Sequence, residues 1–243
     1  MLPLTGERTG PGIWHDNYWF RRHEAAYRAA LSLTRGRRVL EAGCGEGYGA
    51  ALLRDDGADV VAVDLDARTL AHARREYGLV CVQANLVSLP FADATFDTVV
   101  SLQTIEHLWD QPGFVAECAR VLTAHGLLLL TTPNRLTFSP DSVPGTPPTN
   151  PFHSRELDAR ELAELLGDRF DVVQLAAVSH GPRIAEHELG HGDIVSAQLT
   201  PPNDQWDDAL TSLVTGVDAT DFTVTTSDVE AGLDLFVVAE RRP

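Results

Sequence analysis

His107 has the side chain best suited to proton transfer in the segment 105–111 (IEHLWDQ), which follows an apolar run. An imidazole titrates near neutral pH and can therefore take a proton from a weakly acidic hydroxyl. Glu106 could orient that imidazole, join a divalent metal site or pair with an arginine. The competing interpretation is that His107 only caps the helix after a strand. We predict His107 as a general base and Glu106 as its catalytic partner.

A glycine-rich segment, 41–47 (EAGCGEG), indicates a ligand that lies against the backbone. Glycines at alternate positions let the chain turn sharply and come close to a bound molecule. Asp64 follows the last glycine by seventeen residues, at the end of the next apolar run, where a carboxylate could accept hydrogen bonds from both hydroxyls of a ribose. The dinucleotide-binding pattern G-x-G-x-x-G is not met when it starts at Gly43, because its last position is then Tyr48. When it starts at Gly45, its last position is Ala50, which satisfies only the looser version of the pattern. The glycines alone are therefore weak evidence for a ligand class.

Alternating strands and helices must position these residues. The apolar runs predict strands over 39–42, 59–63, 79–82, 96–101 and 127–132, and helices over 16–34, from 48, over 67–77 and over 112–122. A helix over 156–166 and strands over 170–178 and 233–239 follow. Repeated β–α alternation with short connections indicates a parallel sheet with helices on both faces. Ligands of such sheets lie at the carboxyl ends of the strands.

Two segments interrupt the alternation. Residues 134–154 are rich in Pro, Ser and Thr, and residues 180–231 are acidic without clear periodicity. Loops of this length inside one domain are usually binding elements or disordered. We predict a single domain over 1–243 in which both segments are insertions beside the acceptor, after a core over 37–133.

The composition is that of an ordinary globular domain. Of 243 residues, 44% are hydrophobic and 22% charged, and no apolar run approaches the roughly 20 residues of a membrane span. The first residues lack the pattern of a signal peptide. Three widely spaced cysteines suggest neither a disulfide framework nor a zinc ligand pair. We expect a cytoplasmic protein, and the sequence indicates no oligomeric state.

The charge pattern excludes several functions. All nineteen basic residues are Arg, so a Schiff-base lysine and the lysine of a phosphate-binding P-loop are both impossible. Residues 1–75 carry a balance of +1, whereas residues 76–243 carry −17. A nucleic acid partner needs a basic face that the second part does not offer, so we expect no nucleic acid substrate.

The glycine-rich segment resembles motif I of the class I S-adenosylmethionine-dependent methyltransferases. Residues 83–86 (QANL), with 89–91 (LPF) and 96–97 (FD), resemble the adenine-binding turn and fourth strand of that family, and 126–131 (GLLLLT) resembles its fifth strand. The resemblance implies a Rossmann-like α/β fold with a seven-stranded, mostly parallel sheet, helices on both faces and an N-terminal helix. It also implies S-adenosylmethionine as the cofactor.

The resemblance further implies the residues that bind this cofactor. Asn85 stands where the family usually has Asp, and its amide offers adenine a donor as well as an acceptor. Residues 1–36 would form a lid in which Arg22 pairs with the methionine carboxylate. Cys44 also belongs to this cofactor-binding set; it has no activating neighbour in the sequence, so we expect it to pack in the loop and not to react. The other predicted cofactor-binding residues are Tyr18, Glu41, Gly43, Gly45, Gly47, Tyr48, Asp64, Leu65, Leu86 and Gln103.

Segments outside this core resemble a narrower group, the actinobacterial sugar 1-O-methyltransferases of methylmannose polysaccharide biosynthesis. These segments are 4–9 (LTGERT), 17–23 (NYWFRRH), 105–111 (IEHLWDQ), 132–140 (TPNRLTFSP), 150–153 (NPFH) and 180–183 (HGPR). The resemblance implies a short methylated mannoside as acceptor, with Trp19, Trp109, Asn134, His153 and His180 as its binding residues. Some sugar methyltransferases of this fold use Mg²⁺, and the sequence has no spacing signature that decides the matter here.

Two alternative functions remain open. One is a methyltransferase that acts on a small quinone- or polyketide-like acceptor, because a fold does not determine its substrate. The other is a non-catalytic protein that only binds S-adenosylmethionine. The intact glycines, Asp64 and His107 argue against the second alternative.

Overall fold

Eight strands form one sheet at the centre of the protein. The structure is a computed structural model that describes residues 8–142 and 146–243. Parts of the segments 4–9 and 134–154 therefore lie outside the described residues. The strands are β1 (Arg38–Ala42), β2 (Asp59–Asp64), β3 (Val80–Gln83), β4 (Phe96–Leu102), β5 (Leu122–Pro133), β6 (Phe170–His180), β7 (Phe222–Thr225) and β8 (Asp234–Arg241). Their order in the sheet is β3-β2-β1-β4-β5-β8-β6-β7.

The sheet is mostly parallel. Strands β3, β2, β1, β4 and β5 run side by side in the same direction, whereas β8 is antiparallel to both β5 and β6. The carboxyl ends of β1, β2 and β4 consequently meet at one edge. This edge brings together the glycine-rich segment, Asp64 and the chain that leads from β4 to His107.

Helices cover both faces of the sheet, as predicted. They are α1 (Asn17–Thr34), α2 (Tyr48–Asp55), α3 (Ala67–Tyr77), α4 (Gln111–Val121), α5 (Arg135–Phe138), α6 (Ala159–Leu166), α7 (Pro182–His191), α8 (Ile194–Leu199) and α9 (Asp208–Gly216). Successive strand residues point to opposite faces, so Val39 packs in the core below α1, α2 and α3, and Leu40 packs in the core below α4 and α6. No helix of the described residues has a run long and apolar enough to cross a membrane.

The sheet has eight strands, so the predicted count of seven is wrong. The additional strand is β7, which pairs antiparallel with the last four residues of β6. It lies inside 180–231, which also contains α7, α8 and α9. The short length of these elements explains the error. A strand of four residues and helices of six to ten residues are too short to show a clear hydrophobic periodicity. The carboxylates of Asp193 and Asp207 cap α8 and α9, so part of the acidic composition is helix capping.

Candidate active site

The loop between β1 and α2 approaches the rest of the site more closely than any residue other than glycine would allow. Gly43, Gly45 and Gly47 have φ values of 89°, 51° and 91°. Glycine adopts such angles without strain. A Cβ atom on Gly43 would lie 2.4 Å from the Oγ1 atom of Thr104, in the chain that follows β4. The loop therefore brings its backbone against the end of β4.

The carboxylate of Asp64 is held in one orientation at the end of β2. Its Oδ2 atom accepts a hydrogen bond from the backbone N–H of Gly45 at 2.9 Å, and its Oδ1 atom accepts one from the N–H of Asp66 at 2.9 Å. Each carboxylate oxygen has a second lone pair that can accept a further hydrogen bond. Asp64 can thus bind a pair of hydroxyl groups without moving.

A cavity of about 400 Å³, the first cavity, opens in front of this loop. Nine of the predicted cofactor-binding residues line it: Gly43, Cys44, Gly45, Tyr48, Asp64, Leu65, Asn85, Leu86 and Gln103. Nine further residues that the sequence did not indicate also line it: Arg8, Thr9, His23, Tyr27, Glu46, Asp66, Leu102, Thr104 and Leu108. Among these, His23 and Tyr27 are four residues apart on α1, so the spacing of a helix face could have indicated them together.

Glu41 lies behind the loop and is fully buried. Its Oε1 atom accepts a hydrogen bond from the hydroxyl of Tyr27 at 2.5 Å, and its Oε2 atom has no partner among the described residues. Burial raises the pKa of Glu41 to about 8, although the Tyr27 hydrogen bond opposes the shift. A positively charged ligand in the first cavity would favour the ionised carboxylate.

The raised pKa makes the stability of the ligand-free protein depend on pH. A glutamate with an ordinary pKa in the unfolded chain ionises near pH 4.5, whereas the folded protein keeps Glu41 protonated up to about pH 8. The folded state therefore loses stability as the pH rises through this window. We expect Glu41→Gln to match the wild type at pH 5 and to exceed its unfolding free energy above pH 8 by on the order of 2–4 kcal/mol. Denaturant unfolding at several pH values measures this difference.

The control for this prediction is Glu76→Gln. Glu76 is exposed, and its ion pair with Arg75 lowers its pKa. This variant should show no gain in stability at high pH. Equal pH profiles for wild type and Glu41→Gln would contradict the prediction.

His107 ends a short 3-10 turn, Ile105–His107, directly after β4. Its Nδ1 atom lies 3.0 Å from the carbonyl oxygen of Phe152. A carbonyl can only accept a hydrogen bond, so Nδ1 carries the proton and Nε2 of the neutral ring keeps a free lone pair. The backbone of the loop 150–153 thus selects the tautomer in which His107 can act as a base at Nε2.

Glu106 adjoins this imidazole. Its Oε1 atom lies 3.9 Å from Nε2 of His107, and its Oε2 atom accepts a hydrogen bond from the hydroxyl of Thr132 at 3.2 Å. The side chain is only 1% exposed, and burial raises the pKa of Glu106 to about 7, although the nearby His153 opposes the shift. Glu106 therefore ionises close to neutral pH and would stabilise a protonated His107.

A second cavity of about 520 Å³ lies on the other side of His107. It is lined by Arg8, Thr9, Asp16, Trp19, Arg22, His23, Gln103, Glu106, His107, Pro133, Phe138, Thr149, Asn150, Pro151, Phe152, His153, Glu156 and Leu199. Five of these residues also line the first cavity: Arg8, Thr9, His23, Gln103 and His107. His107 therefore stands where the two cavities meet.

His153 is fixed beside His107 by the same loop. Its Nδ1 atom lies 2.6 Å from Oε1 of Glu156, and its Nε2 atom lies 3.1 Å from the side-chain nitrogen of Asn150. The oxygen of that amide accepts the N–H of Phe152, so its nitrogen must face the imidazole. The rings of His153 and His107 are 4.9 Å apart between centroids.

Glu106, His107 and His153 are one group in which three potential metal ligands come together. Their ligand atoms all lie within 4.8 Å of one another, and no other such group occurs in residues 8–142 and 146–243. Two imidazole nitrogens and one carboxylate suit transition metals such as zinc or iron. Magnesium prefers oxygen ligands. This donor set does not fit Mg²⁺, so we derive no step through that ion.

Tyr18 and His180, which were predicted to bind the cofactor and the acceptor, belong to a hydrogen-bonded chain outside the two cavities. The hydroxyl of Tyr18 lies 2.6 Å from Nε2 of His180, and Nδ1 of His180 lies 3.0 Å from Oε2 of Glu188. Neither Tyr18 nor His180 lines the first or the second cavity in the described structure. The chain connects α1 to β6 and α7.

Three further predicted residues lie away from the sites expected for them, because their side chains point elsewhere. Arg22 lines the second cavity rather than the first, and its Nε atom lies 3.2 Å from Oδ2 of Asp234. Trp109 is 93% exposed and lines neither cavity of the described residues. Asn134 is fully buried and donates to the carbonyl oxygens of residues 230 and 232, which makes it a structural link between loops. By contrast, Trp19 and His153 both line the second cavity.

Known proteins show which family has this arrangement. Residues 40–130 match the family model described as a methyltransferase domain. The chain is 48% identical to the Mycolicibacterium smegmatis protein named "Probable S-adenosylmethionine-dependent methyltransferase", over 99% of this chain and 95% of that protein. This chain belongs to the S-adenosylmethionine-dependent methyltransferases. Its cofactor is therefore S-adenosylmethionine.

Other methyltransferases share less of the chain. The malonyl-[acyl-carrier protein] O-methyltransferase of Enterobacter lignolyticus is 35% identical over 66% of each chain. The crystal structure of a Thermotoga maritima S-adenosylmethionine-dependent methyltransferase, described as a possible histamine N-methyltransferase, has a TM-score of 0.62 at 20% identity and covers 93% of each chain. At that identity the likeness shows the fold of this methyltransferase and not its acceptor.

Proposed function

We propose that this methyltransferase binds S-adenosylmethionine in the first cavity and methylates a hydroxyl group of a small neutral carbohydrate in the second. The observation that carries the proposal is the position of His107, at the junction of the cavities, with its Nδ1 proton held by the carbonyl of Phe152. The resemblance of the segments 105–111, 132–140 and 150–153 to the sugar 1-O-methyltransferases supports a short methylated mannoside of polymethylated polysaccharide biosynthesis as the acceptor.

The residues of the first cavity fit the cofactor. A Cβ atom on Gly45 would meet no atom within 4 Å among the described residues, so the loop is open toward a ligand there, and Asp64 offers two carboxylate oxygens to a ribose. The Oε2 atom of Glu41, which has no partner among the described residues, can accept from a ligand, and the amide nitrogen of Asn85 can donate to adenine while its oxygen accepts the N–H of Val87. The bound cofactor would supply a methyl group attached to a positively charged sulfur. The neutral sulfide that remains after transfer is a good leaving group.

The chain must then activate the nucleophile. A sugar hydroxyl at the junction can donate its proton to Nε2 of His107 as its oxygen bonds to the methyl carbon and the electrons of the broken S–C bond pass to sulfur. Holding both reactants in adjoining cavities favours this in-line transfer. Glu106 stabilises the imidazolium that forms, because its pKa of about 7 lets it ionise when His107 becomes positive.

The second cavity combines a mostly apolar surface with polar groups. Trp19, Phe138 and Phe152 offer aromatic faces, and Thr149 and Asn150 lie among them with groups that can bind hydroxyls. The net charge of −17 over residues 76–243 disfavours a phosphorylated acceptor.

Replacing Asp64 should weaken cofactor binding. Asp64→Ala removes a charge-assisted contact to two hydroxyls, which costs roughly 1.5–3 kcal/mol, or about a 10- to 150-fold loss of affinity. Calorimetry with S-adenosylhomocysteine measures the effect. Asp59→Ala is the control, since Asp59 lies at the opposite, exposed end of the same strand. Unchanged affinity in a folded Asp64→Ala variant would remove Asp64 from the cofactor site.

The acceptor class is tested by incubating the protein with methyl-labelled S-adenosylmethionine and a panel of mannosides, glucosides and quinones. We expect label on an oxygen of a mannoside or glucoside and none on a quinone. Transfer to a quinone alone would overturn the carbohydrate acceptor and leave the family unchanged. Binding of cofactor without transfer to any acceptor would favour a non-catalytic protein.

A further inference from the structure

Two residues that line the second cavity have buried polar atoms without a hydrogen-bond partner in the described structure. Nη1 of Arg22 and Oε2 of Glu156 make no hydrogen bond within the described residues. The side chains are only 5% and 1% exposed, so bulk water does not replace the missing partners. A buried donor or acceptor without a partner is costly, and both residues line the cavity that faces His107.

The guanidinium of Arg22 is held at its other side. Its Nε atom lies 3.2 Å from Oδ2 of Asp234, which compensates its charge. Its central carbon lies 4.9 Å from the ring centroid of Trp19 and 5.1 Å from that of Phe138. Contacts with two aromatic rings and a carboxylate restrict a planar guanidinium to one orientation. Nη1 is left without a hydrogen bond in a residue that lines the second cavity.

Glu156 is held in the same manner. Its Oε1 atom is occupied by Nδ1 of His153 at 2.6 Å, and that imidazole is in turn fixed by Asn150. Oε2 must therefore find its donor elsewhere. A carboxylate oxygen accepts strongly from a hydroxyl group.

We propose that Arg22 and Glu156 determine acceptor specificity by binding oxygens other than the one that is methylated. Arg22 donates from Nη1 to a hydroxyl or ether oxygen, and Glu156 accepts at Oε2 from a second hydroxyl. With the reacting hydroxyl at Nε2 of His107, the cavity then requires an acceptor with at least two hydroxyls and a further oxygen. This inference rests on the proposed function and narrows it to polyhydroxylated acceptors, since a compound with one hydroxyl leaves Glu156 unpaired.

The expected discrimination is large. A site built to bind a hydroxyl rejects an analogue that lacks it by up to about 10⁴- to 10⁵-fold, because the buried group is left without a partner. We therefore expect that, among the singly deoxygenated derivatives of mannobiose that keep the methylated hydroxyl, one shows a kcat/KM lower by about 100-fold or more. Glu156→Gln keeps an amide oxygen for His153 but loses the charged acceptor. In this variant the same removal should cost about 10-fold or less.

The test measures methyl transfer to mannobiose and to its singly deoxygenated derivatives by wild type, Glu156→Gln and Arg22→Lys. Arg22→Lys keeps a positive charge beside Asp234 but removes the second donor. We expect both variants to raise the KM for mannobiose by about 10-fold or more and to keep wild-type affinity for S-adenosylhomocysteine. Gln198→Met is the matched control, because Gln198 has a buried unpartnered oxygen but lies outside both cavities. Its KM should not change.

The outcomes separate this inference from the proposed function. Loss of discrimination in Glu156→Gln, with an unchanged control, supports it. Wild-type KM values and an unchanged deoxygenation profile in both variants overturn it while the proposed function stands. If no saccharide is methylated, and none binds the complex with S-adenosylhomocysteine in ligand-observed NMR, both are overturned.

Discussion

Replacing His107 by Ala is expected to lower turnover by about 100- to 10,000-fold while cofactor affinity stays close to that of the wild type. The imidazole is the base at the junction of the cavities, and its loss leaves a hydroxyl that must react with its proton in place. The Phe152 carbonyl that holds Nδ1 would lose its donor, but that contact lies away from the glycine-rich loop. Single-turnover transfer from labelled cofactor, combined with S-adenosylhomocysteine calorimetry, separates the chemical step from binding.

A matched control for this experiment is His125→Ala. His125 is exposed, contacts Glu240 and lies outside both cavities of the described structure. It should keep wild-type turnover. If His107→Ala keeps both its turnover and the wild-type dependence on pH, the base lies elsewhere. His153 is then the next candidate, since it lines the second cavity and adjoins His107.

Gly43→Ala is expected to disrupt the cofactor site more than any other single methyl group added to the loop. The new Cβ would meet Oγ1 of Thr104 at 2.4 Å, and a φ of 89° is itself strained for alanine. Strain of this kind costs about 1–3 kcal/mol, and the clash must add to it by displacing the loop or Thr104. We expect a loss of S-adenosylhomocysteine affinity of 100-fold or more, measured by calorimetry.

Gly36 separates the strain from the clash. It also has a positive φ, but a Cβ there would meet no atom within 4 Å of the described residues, and it lines neither cavity. Its alanine variant should show the strain alone, as a modest loss of stability. In the Gly43→Ala background, Thr104→Gly removes all three atoms that the Cβ meets and should restore part of the affinity. Equal losses of affinity with and without Thr104→Gly would contradict the role of the close contact.

The parallel half of the fold could be predicted because its sequence pattern is local. Each strand from β1 to β5 contains a cluster of apolar residues, and the predicted helix over 67–77 agrees with α3 at both ends. The segment 180–231 could not be predicted in this way. Its strand and helices are short and derive their stability from packing against β6 and α1, which no local window of the sequence contains.

The site residues likewise fall into those that the sequence pattern could place and those that it could not. Gly43, Asp64, Gln103 and His107 follow strand ends, and topology alone brings strand ends to one edge. Residues on other elements also require a direction for each side chain, and one helical residue changes that direction by about 100°. Arg22 therefore lines the second cavity although its neighbour His23 reaches both.

The position of β8 has a consequence for how the protein is made. This strand, the last along the chain, lies between β5 and β6 and pairs with both over most of its length. During synthesis the sheet must remain divided until residues 234–241 have left the ribosome, and until then β5 and β6 each present an open edge. The unpaired backbone N–H and C=O groups of an open strand edge can form hydrogen bonds with other chains. Nascent or truncated chains that lack β8 should therefore depend on chaperones and aggregate readily. When β8 is present, it pairs with both β5 and β6 and covers the two open edges.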